Sequence, residues 1–553
     1  MLFNSLNYLI FFPIVILFYF AIPAKLKEIR NFWLLIASYF FYMNWNAAYA
    51  LLLFGSTFVT YLAGILIEKA KEKKKLSLAK WMLGISFAIN IGILFFYKYI
   101  NFFILNINRI LGLTGSNEIG ALDILLPVGI SFYIFQALGY TMDVYREKIK
   151  ATKNLFRYML FVSFFPQLVA GPIERSTNLL KQFDEDHNFD TDRVREGLLT
   201  MLWGLFMKIM IADNLAVYID SVYENYPAYT GIEIILATMM FAFQIYCDFG
   251  GYTYIAIGSA KVLGFTLMEN FNAPYQATSI KDFWRRWHIS LTGWFTDYLY
   301  IPLGGNRKGK MRKYINTFIV FFVSGLWHGA SWSYVVWGVI NGIYLIVQDA
   351  TVVVRQKVMQ FLHVREDRFS YRLGCGLVTF LLVDFSWLFF RAKSLGIAVD
   401  MLKQIALSLQ PAKLFGLAVN RMGYSMQQLV ALIFAMLLLF AFDILKNHMY
   451  FMSKGDGQNR SGSIVEQTGQ KQKVISAGRS GQVQGASNIG HAGQNRTERD
   501  SVQTGQPANV FQIVLSQGMW FRWLVYLGLL FMILVYGAYG LEYTQTEFIY
   551  FQF

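Results

Sequence analysis

The sequence predicts an all-α polytopic membrane protein, and three observations carry that prediction. Apolar residues make up 56% of the 553-residue chain and charged residues only 15%, too apolar for a soluble surface of this size. Runs such as Asn7–Ile22, Phe322–Val347 and Trp523–Gly540 carry almost no charge, and a helix needs about 20 such residues to cross a bilayer. Lys and Arg gather in short clusters between the apolar runs, as positive-inside topology requires. That distribution also accounts for the formal charge of +15, so nucleic acid is not an expected partner.

The first run, Asn7–Ile22, is followed by no cleavage site of the A-x-A type and reads as a retained helix. "AKLKEIR" (Ala24–Arg30) then lies in the cytoplasm, with the N-terminus outside. "EKAKEKKK" (Glu68–Lys75), two spans later, is cytoplasmic too. A span near Trp81–Tyr97 leads out and Leu122–Met142 leads back, which puts "REKIKATK" (Arg146–Lys153) inside. The next stretch, "YMLFVSFFPQLVAGPIE" (Tyr158–Glu174), is broken by Pro166, Gly171 and Pro172, so it forms no single helix. It reads as a re-entrant loop, which is tolerated only where protein or water covers the backbone, and so as the wall of a cavity.

"NRKGKMRK" (Asn306–Lys313) and the basic stretch Arg355–Arg372 both fall inside. Leu429–Leu445 returns to the cytoplasm. Ser453–Asn509 is rich in Gly, Ser, Gln and Asn and has no aromatic residue; it lacks the apolar surface to order itself. A last span covers about Trp520–Gly540. The chain thus divides into a transmembrane core (1–450), a disordered cytoplasmic loop (453–509), a last transmembrane helix (510–546) and a C-terminal tail (547–553). No internal repeat stands out.

Polar groups inside apolar runs are the candidates for function. Of six histidines, four lie in or beside polar loops. His328 lies in "SGLWHGASW" (Ser324–Trp332), in the middle of a long apolar run. A neutral imidazole there is either a proton acceptor for a hydroxyl or a structural hydrogen-bonding group. His288 shares the spacing of Trp284, Trp287, Leu291 and Phe295, which is one face of an amphipathic helix. Asp248 stands with Gln244 and Tyr252 around "YCDFGGY". Gly304 and Gly305, followed by Asn306, Arg307 and Lys308, form either a phosphate cradle or a solvated basic turn. Cys247 and Cys375 sit in apolar stretches, and no Cys/His spacing of a metal site occurs. The chain closes on "EFIYFQF" (Glu547–Phe553), an apolar plug with one phenol, where a terminus is normally polar and frayed. The residues by themselves lead as far as a membrane protein with one or two buried histidines.

Several longer segments carry a resemblance. "DFWRRWHISLTGWFTDYLYIPLGGNR" (Asp282–Arg307) and "GLWHGASWSYVVWG" (Gly325–Gly338) resemble the membrane-bound O-acyltransferase family. So do "FFPQLVAGPIER" (Phe164–Arg175), "DFGGYTYIAIG" (Asp248–Gly258), "ENFNAPY" (Glu269–Tyr275), "SWLFFRA" (Ser386–Ala392) and the opening "MLFNSLNYLIFFPI". The branch most similar is that of the bacterial polysaccharide O-acetylases, such as those acting on alginate. The chain departs from that branch at Thr253, Tyr254 and Thr296.

The resemblance implies about 11–13 membrane helices, with re-entrant and interfacial ones, around a tunnel joining the cytoplasm to the outside. It implies a catalytic histidine at His328, with His288 as its partner, and acetyl-CoA as donor substrate with no bound cofactor. Arg307, Lys308 and Lys310 become candidates for the donor's phosphates, and Asp248, Tyr252, Gln167 and Trp327 for the tunnel wall or its bracing. The ending is similar to a C-terminal motif of cell-envelope acylation systems, in which a tyrosine carries the acyl group. Tyr550 is then the acyl acceptor. An extracytoplasmic SGNH-type acetyltransferase is the implied partner and a cell-surface polysaccharide the final acceptor, at the bacterial cytoplasmic membrane. The alternatives are D-alanyl transfer to teichoic acid from a carrier protein, and transport of a lipid-linked saccharide.

Overall fold

The computed structural model describes residues 1–114, 118–169, 171–414, 422–475, 509–538 and 549. Among them every regular element is helical. Seven helices are long and apolar enough to cross a membrane, and an eighth is formed if the bent pair Trp332–Ala350 and Val352–Phe361 counts as one span. This is fewer than the 11–13 that the resemblance implies. Several further helices are too short for an independent crossing, such as Leu6–Ala21 and Ile130–Tyr145, each 16 residues long. Lys310–His328 is long enough but opens on three cations, Lys310, Arg312 and Lys313.

The axis of the core is the 33-residue helix Gly231–Leu263, which a Thr230/Glu233 capping box starts and Gly264, in left-handed backbone, ends. Thr191–Leu205 packs tightly along it. Glycines make that approach possible. A Cβ on Gly204 would stand 2.5 Å from the Gly251 carbonyl oxygen, and one on Gly258 would stand 2.5 Å from that of Gly197. Each helix thus offers two glycines seven residues apart, and backbone meets backbone as it does where small residues line membrane helix contacts.

The interrupted stretch at Tyr158–Glu174 forms two short helices, Leu155–Ser163 and Phe165–Leu168, deeply buried. Its backbone is covered by protein, as the sequence requires. The Ile173 N–H donates to Ser290 Oγ at 3.1 Å, and Ser290 Oγ donates to Asn270 Oδ1 at 2.5 Å. Outer helices turn large apolar side chains such as Leu62, Ile85, Phe531 and Trp520 outward, the reverse of a soluble surface.

Three helices contain a π-turn: Phe95–Tyr99, Phe206–Ala212 and Thr296–Tyr300. Such turns cluster at functional sites. The first two each carry an intramembrane lysine, Lys98 and Lys208.

Two boundaries differ from the sequence reading. The helix that starts at Met426 continues to Ile475, past Ser453; residues 476–508, most of the expected loop, lie outside the described residues. The segment expected as one helix from 510 holds two, Val510–Ser516 and Met519–Tyr536, separated at Gln517 and Gly518.

Candidate active site

The periodicity at Trp284, Trp287, His288, Leu291 and Phe295 suggests a continuous helix, and the structure breaks it at the histidine. One helix covers Ile280–Arg286 and the next Ile289–Phe295, with His288 between them at φ 43°, ψ 54°. Left-handed backbone is uncommon for a residue with a Cβ and is found where surroundings enforce it. Here the loop Asn270–Asn272 does so. The Asn272 N–H donates to the Arg286 carbonyl at 3.0 Å, and the Ile289 N–H donates to the Asn270 carbonyl at 2.9 Å. The periodicity runs through the break, so hydropathy alone could not locate it.

His328 is the last residue of helix Lys310–His328. After it Gly329 is extended, and a Cβ there would lie 2.2 Å from the Tyr334 ring. The helix therefore stops sharply and leaves the histidine at its inner end. The two imidazoles face each other with ring centroids 6.5 Å apart. His288 is 2% exposed and His328 4%. Aromatic rings enclose both: Phe249 and Trp327 around His288, at 4.7 and 6.0 Å, and Trp327, Trp337 and Phe390 around His328, at 5.0 to 5.2 Å.

Both histidines line one cavity of about 620 Å³. Lys313, Thr317, Val320, Phe321, Ser324 and His328 line it from a single helix, at the spacing of one helical face. Lys313 and His328 are 15 residues apart, or about 22 Å at 1.5 Å per residue. The cavity therefore runs the length of this helix, with histidines at one end. Four cations, Lys281, Arg285, Lys313 and Arg355, also line it, and Lys281 and Lys313 meet the neighbouring residues Gln348 and Asp349 toward the far end. Lys313 shares its charge with Asp349 at 2.5 Å.

A second, small void of about 30 Å³ lies against Lys98, Gly129, Ser131, Val169, Trp327 and His328. His328 is thus a wall of both spaces. An imidazole so placed can exchange a proton with a group held in either. Among the described residues, no group of three or more His, Cys, Asp or Glu could hold a metal ion.

The sequence profile of the membrane-bound O-acyltransferase family matches residues 145–366, the stretch that carries both histidines. The chain is 38% identical over 402 residues to a probable alginate O-acetylase of Pseudomonas putida, covering 72% of this chain and 79% of that protein. It is 35% identical over 434 residues to a peptidoglycan O-acetyltransferase of Helicobacter pylori, covering 73% and 79%. The chain belongs to the membrane-bound O-acyltransferase family. A teichoic acid D-alanyltransferase of Bacillus subtilis is less similar, 29% identical over 229 residues, or 39% of this chain and 58% of that one.

In this membrane-bound O-acyltransferase the structure brings together His288, His328 and Trp327, and leaves the other expected residues that it describes elsewhere. Arg307, Lys308 and Lys310 are exposed and are not among the residues lining the histidine cavity. Their neighbours Asn306 and Lys313 line it. Gln167 braces the interrupted stretch by donating from Nε2 to the Phe161 carbonyl at 2.7 Å.

Asp248 and Tyr252 sit beside Lys208. Its ammonium is 2.6 Å from both Asp213 and Asp248 and 5.8 Å from the Tyr252 ring centroid. Asp248 Oδ2 also accepts the backbone N–H of Ile549 at 2.8 Å, and Ile549 is buried. Tyr550 lies outside the described residues.

Sequence reasoning missed Lys98 and Lys208. Both were findable as lysines inside apolar runs, "LFFYKYINFF" (Leu94–Phe103) and "LFMKIMI" (Leu205–Ile211), by the same rule that found His328.

Proposed function

We propose that this O-acyltransferase takes an acetyl group from acetyl-CoA on the cytoplasmic side and delivers it across the membrane for O-acetylation of a cell-surface polysaccharide, by way of Tyr550. The observation that carries the reading is the position of His328, in the wall of both a cation-rimmed cavity and a second void. The rim suits the donor's phosphates: Lys313 and Arg355 belong to segments whose charge places them in the cytoplasm, and Lys281 and Arg285 line the same space. A pantetheine arm laid along Lys310–His328 would bring its thioester to the histidines.

His328, as general base, takes the proton of the incoming hydroxyl. The oxygen attacks the thioester carbonyl, and the tetrahedral intermediate collapses with release of the CoA thiolate. The thiolate recovers the proton from His328, so the histidine ends as it began. His288, held in left-handed backbone across the gap, orients the base or stabilises the developing charge.

Tyr550 supplies the hydroxyl. Support comes from its neighbour. Ile549 is buried in the core with its N–H on Asp248, and Phe249, which follows Asp248 in the chain, packs edge-on against His288. Entry of the C-terminal segment into the core at Ile549, beside the element that carries Phe249, supports Tyr550 as the acceptor. Acetylated Tyr550 then passes the group to an SGNH-type acetyltransferase outside the bacterial cytoplasmic membrane. The higher identity to acetylases than to the D-alanyltransferase favours acetyl over D-alanyl.

The test is base-labile acetate on envelope polysaccharide from cells carrying wild type, His328→Ala, or a chain lacking Phe548–Phe553. Both variants are expected to insert normally and to abolish polymer acetylation. Acetylation that persists in either would overturn the reading for that element.

A further inference from the structure

An α-helix leaves its last four carbonyls without intrahelical partners. In the helix that ends at His328, three of them are satisfied by two consecutive side chains of a distant span. Tyr99 Oη donates to the Leu326 carbonyl at 2.7 Å. Lys98 Nζ donates to the Trp327 carbonyl at 2.7 Å and to the His328 carbonyl at 3.1 Å. Both donors belong to the π-turn Phe95–Tyr99, whose wider winding lets neighbouring residues 98 and 99 reach one target. The span that carries them is otherwise largely exposed to lipid, with 22% of its apolar window buried.

A lysine at such depth is costly and marks function by default. A neutral donor would satisfy a carbonyl at less cost. The ammonium does more, because a cation complements the negative end of the helix dipole. It also lines the small void that His328 shares.

We propose that Lys98 is a positioning residue for acyl transfer. With Tyr99 it clamps the helix end that bears His328 and fixes that imidazole between the two cavities. The inference rests on His328 being the base, as argued above. Lys98 is not among the residues lining the donor cavity, so its loss spares donor binding and impairs the chemical step. A misplacement of about 1 Å at a reacting group costs on the order of 100-fold in rate.

The experiment uses the full-length protein in lipid nanodiscs with labelled acetyl-CoA, comparing wild type, Lys98→Met, Lys98→Arg and Tyr99→Phe. Lys98→Met is expected to lower kcat by about 10- to 100-fold with KM for acetyl-CoA unchanged. Lys98→Arg, which keeps the charge and the donors, restores most of kcat. Tyr99→Phe, a milder change that keeps the fold, lowers kcat by a smaller factor. Hydrogen–deuterium exchange over Leu326–Ser331 is expected to quicken in Lys98→Met and return to the wild-type rate in Lys98→Arg.

Wild-type kcat in Lys98→Met, or a loss that appears in KM alone, would overturn the proposal. So would a Lys98→Arg variant as impaired as Lys98→Met. If the wild type does not turn over acetyl-CoA, the acetyl reading fails, and exchange alone then decides the clamp: quickened exchange upholds it and unchanged exchange refutes it.

Discussion

Lys313 and Arg307 are six residues apart in one basic cluster, yet only Lys313 reaches the cavity that holds the histidines. This has a measurable consequence. Replacing Arg285, Lys313 and Arg355 together by Gln is expected to raise KM for acetyl-CoA by on the order of tenfold or more while kcat changes little, since exposed charge pairs contribute up to about 1 kcal/mol each. Replacing Arg307, Lys308 and Lys310 is expected to leave both constants near wild type. Steady-state kinetics on the two triple variants separates these outcomes, and the reverse pattern would return the donor site to the Gly304–Lys310 turn. His328 was legible in the sequence because a titratable group in an apolar run is expensive and so informative, and His288 because it falls on the apolar face of an amphipathic pattern. The cations were not. Lys281, Arg285, Lys313 and Arg355 are scattered over separate segments, and each looks like ordinary positive-inside charge. Only the fold shows that they meet.

At the scale of elements, the breaks matter more than the helices. The break at His288, the π-turns at Lys98 and Lys208 and the stop at Gly329 each present a polar group that an unbroken helix would place elsewhere. Hydropathy finds helices by their periodicity and passes through such breaks unaware of them. The Tyr158–Glu174 interruption was legible only because Pro166 and Pro172 announce it.

The Lys208 cluster shows what a break can support. One ammonium serves two buried carboxylates, Asp213 and Asp248, and Asp248 in turn holds the Ile549 N–H. Lys208→Met would leave those carboxylates without their shared cation. Removing one partner of a buried pair typically costs about 3–5 kcal/mol. Thermal unfolding in detergent should therefore shift well below wild type for Lys208→Met. Adding Asp213→Asn and Asp248→Asn should recover part of the loss. A Lys208→Met protein as stable as wild type would mean that the cluster contributes nothing to the fold.

At the scale of the whole molecule, the helical membrane core sets His328 between a long cavity and a small void. The membrane class was readable from composition and charge placement. The family was readable because its motifs are long and spread from the N-terminus to Ala392. The meeting of Ile549 with Asp248, 301 positions apart in sequence, was not, since no local pattern in either segment encodes the other. That contact supports the proposal that the acyl group passes directly from the donor to Tyr550, with His328 as general base.

The most direct measurement is mass spectrometry of the C-terminal peptide after incubating the purified full-length protein with isotopically labelled acetyl-CoA. Wild type, His328→Ala and Tyr550→Phe are compared. Labelled acetyl is expected on Tyr550 in the wild type and in neither variant. Labelled donor consumed at the wild-type rate with Tyr550 left unmodified would contradict the proposal.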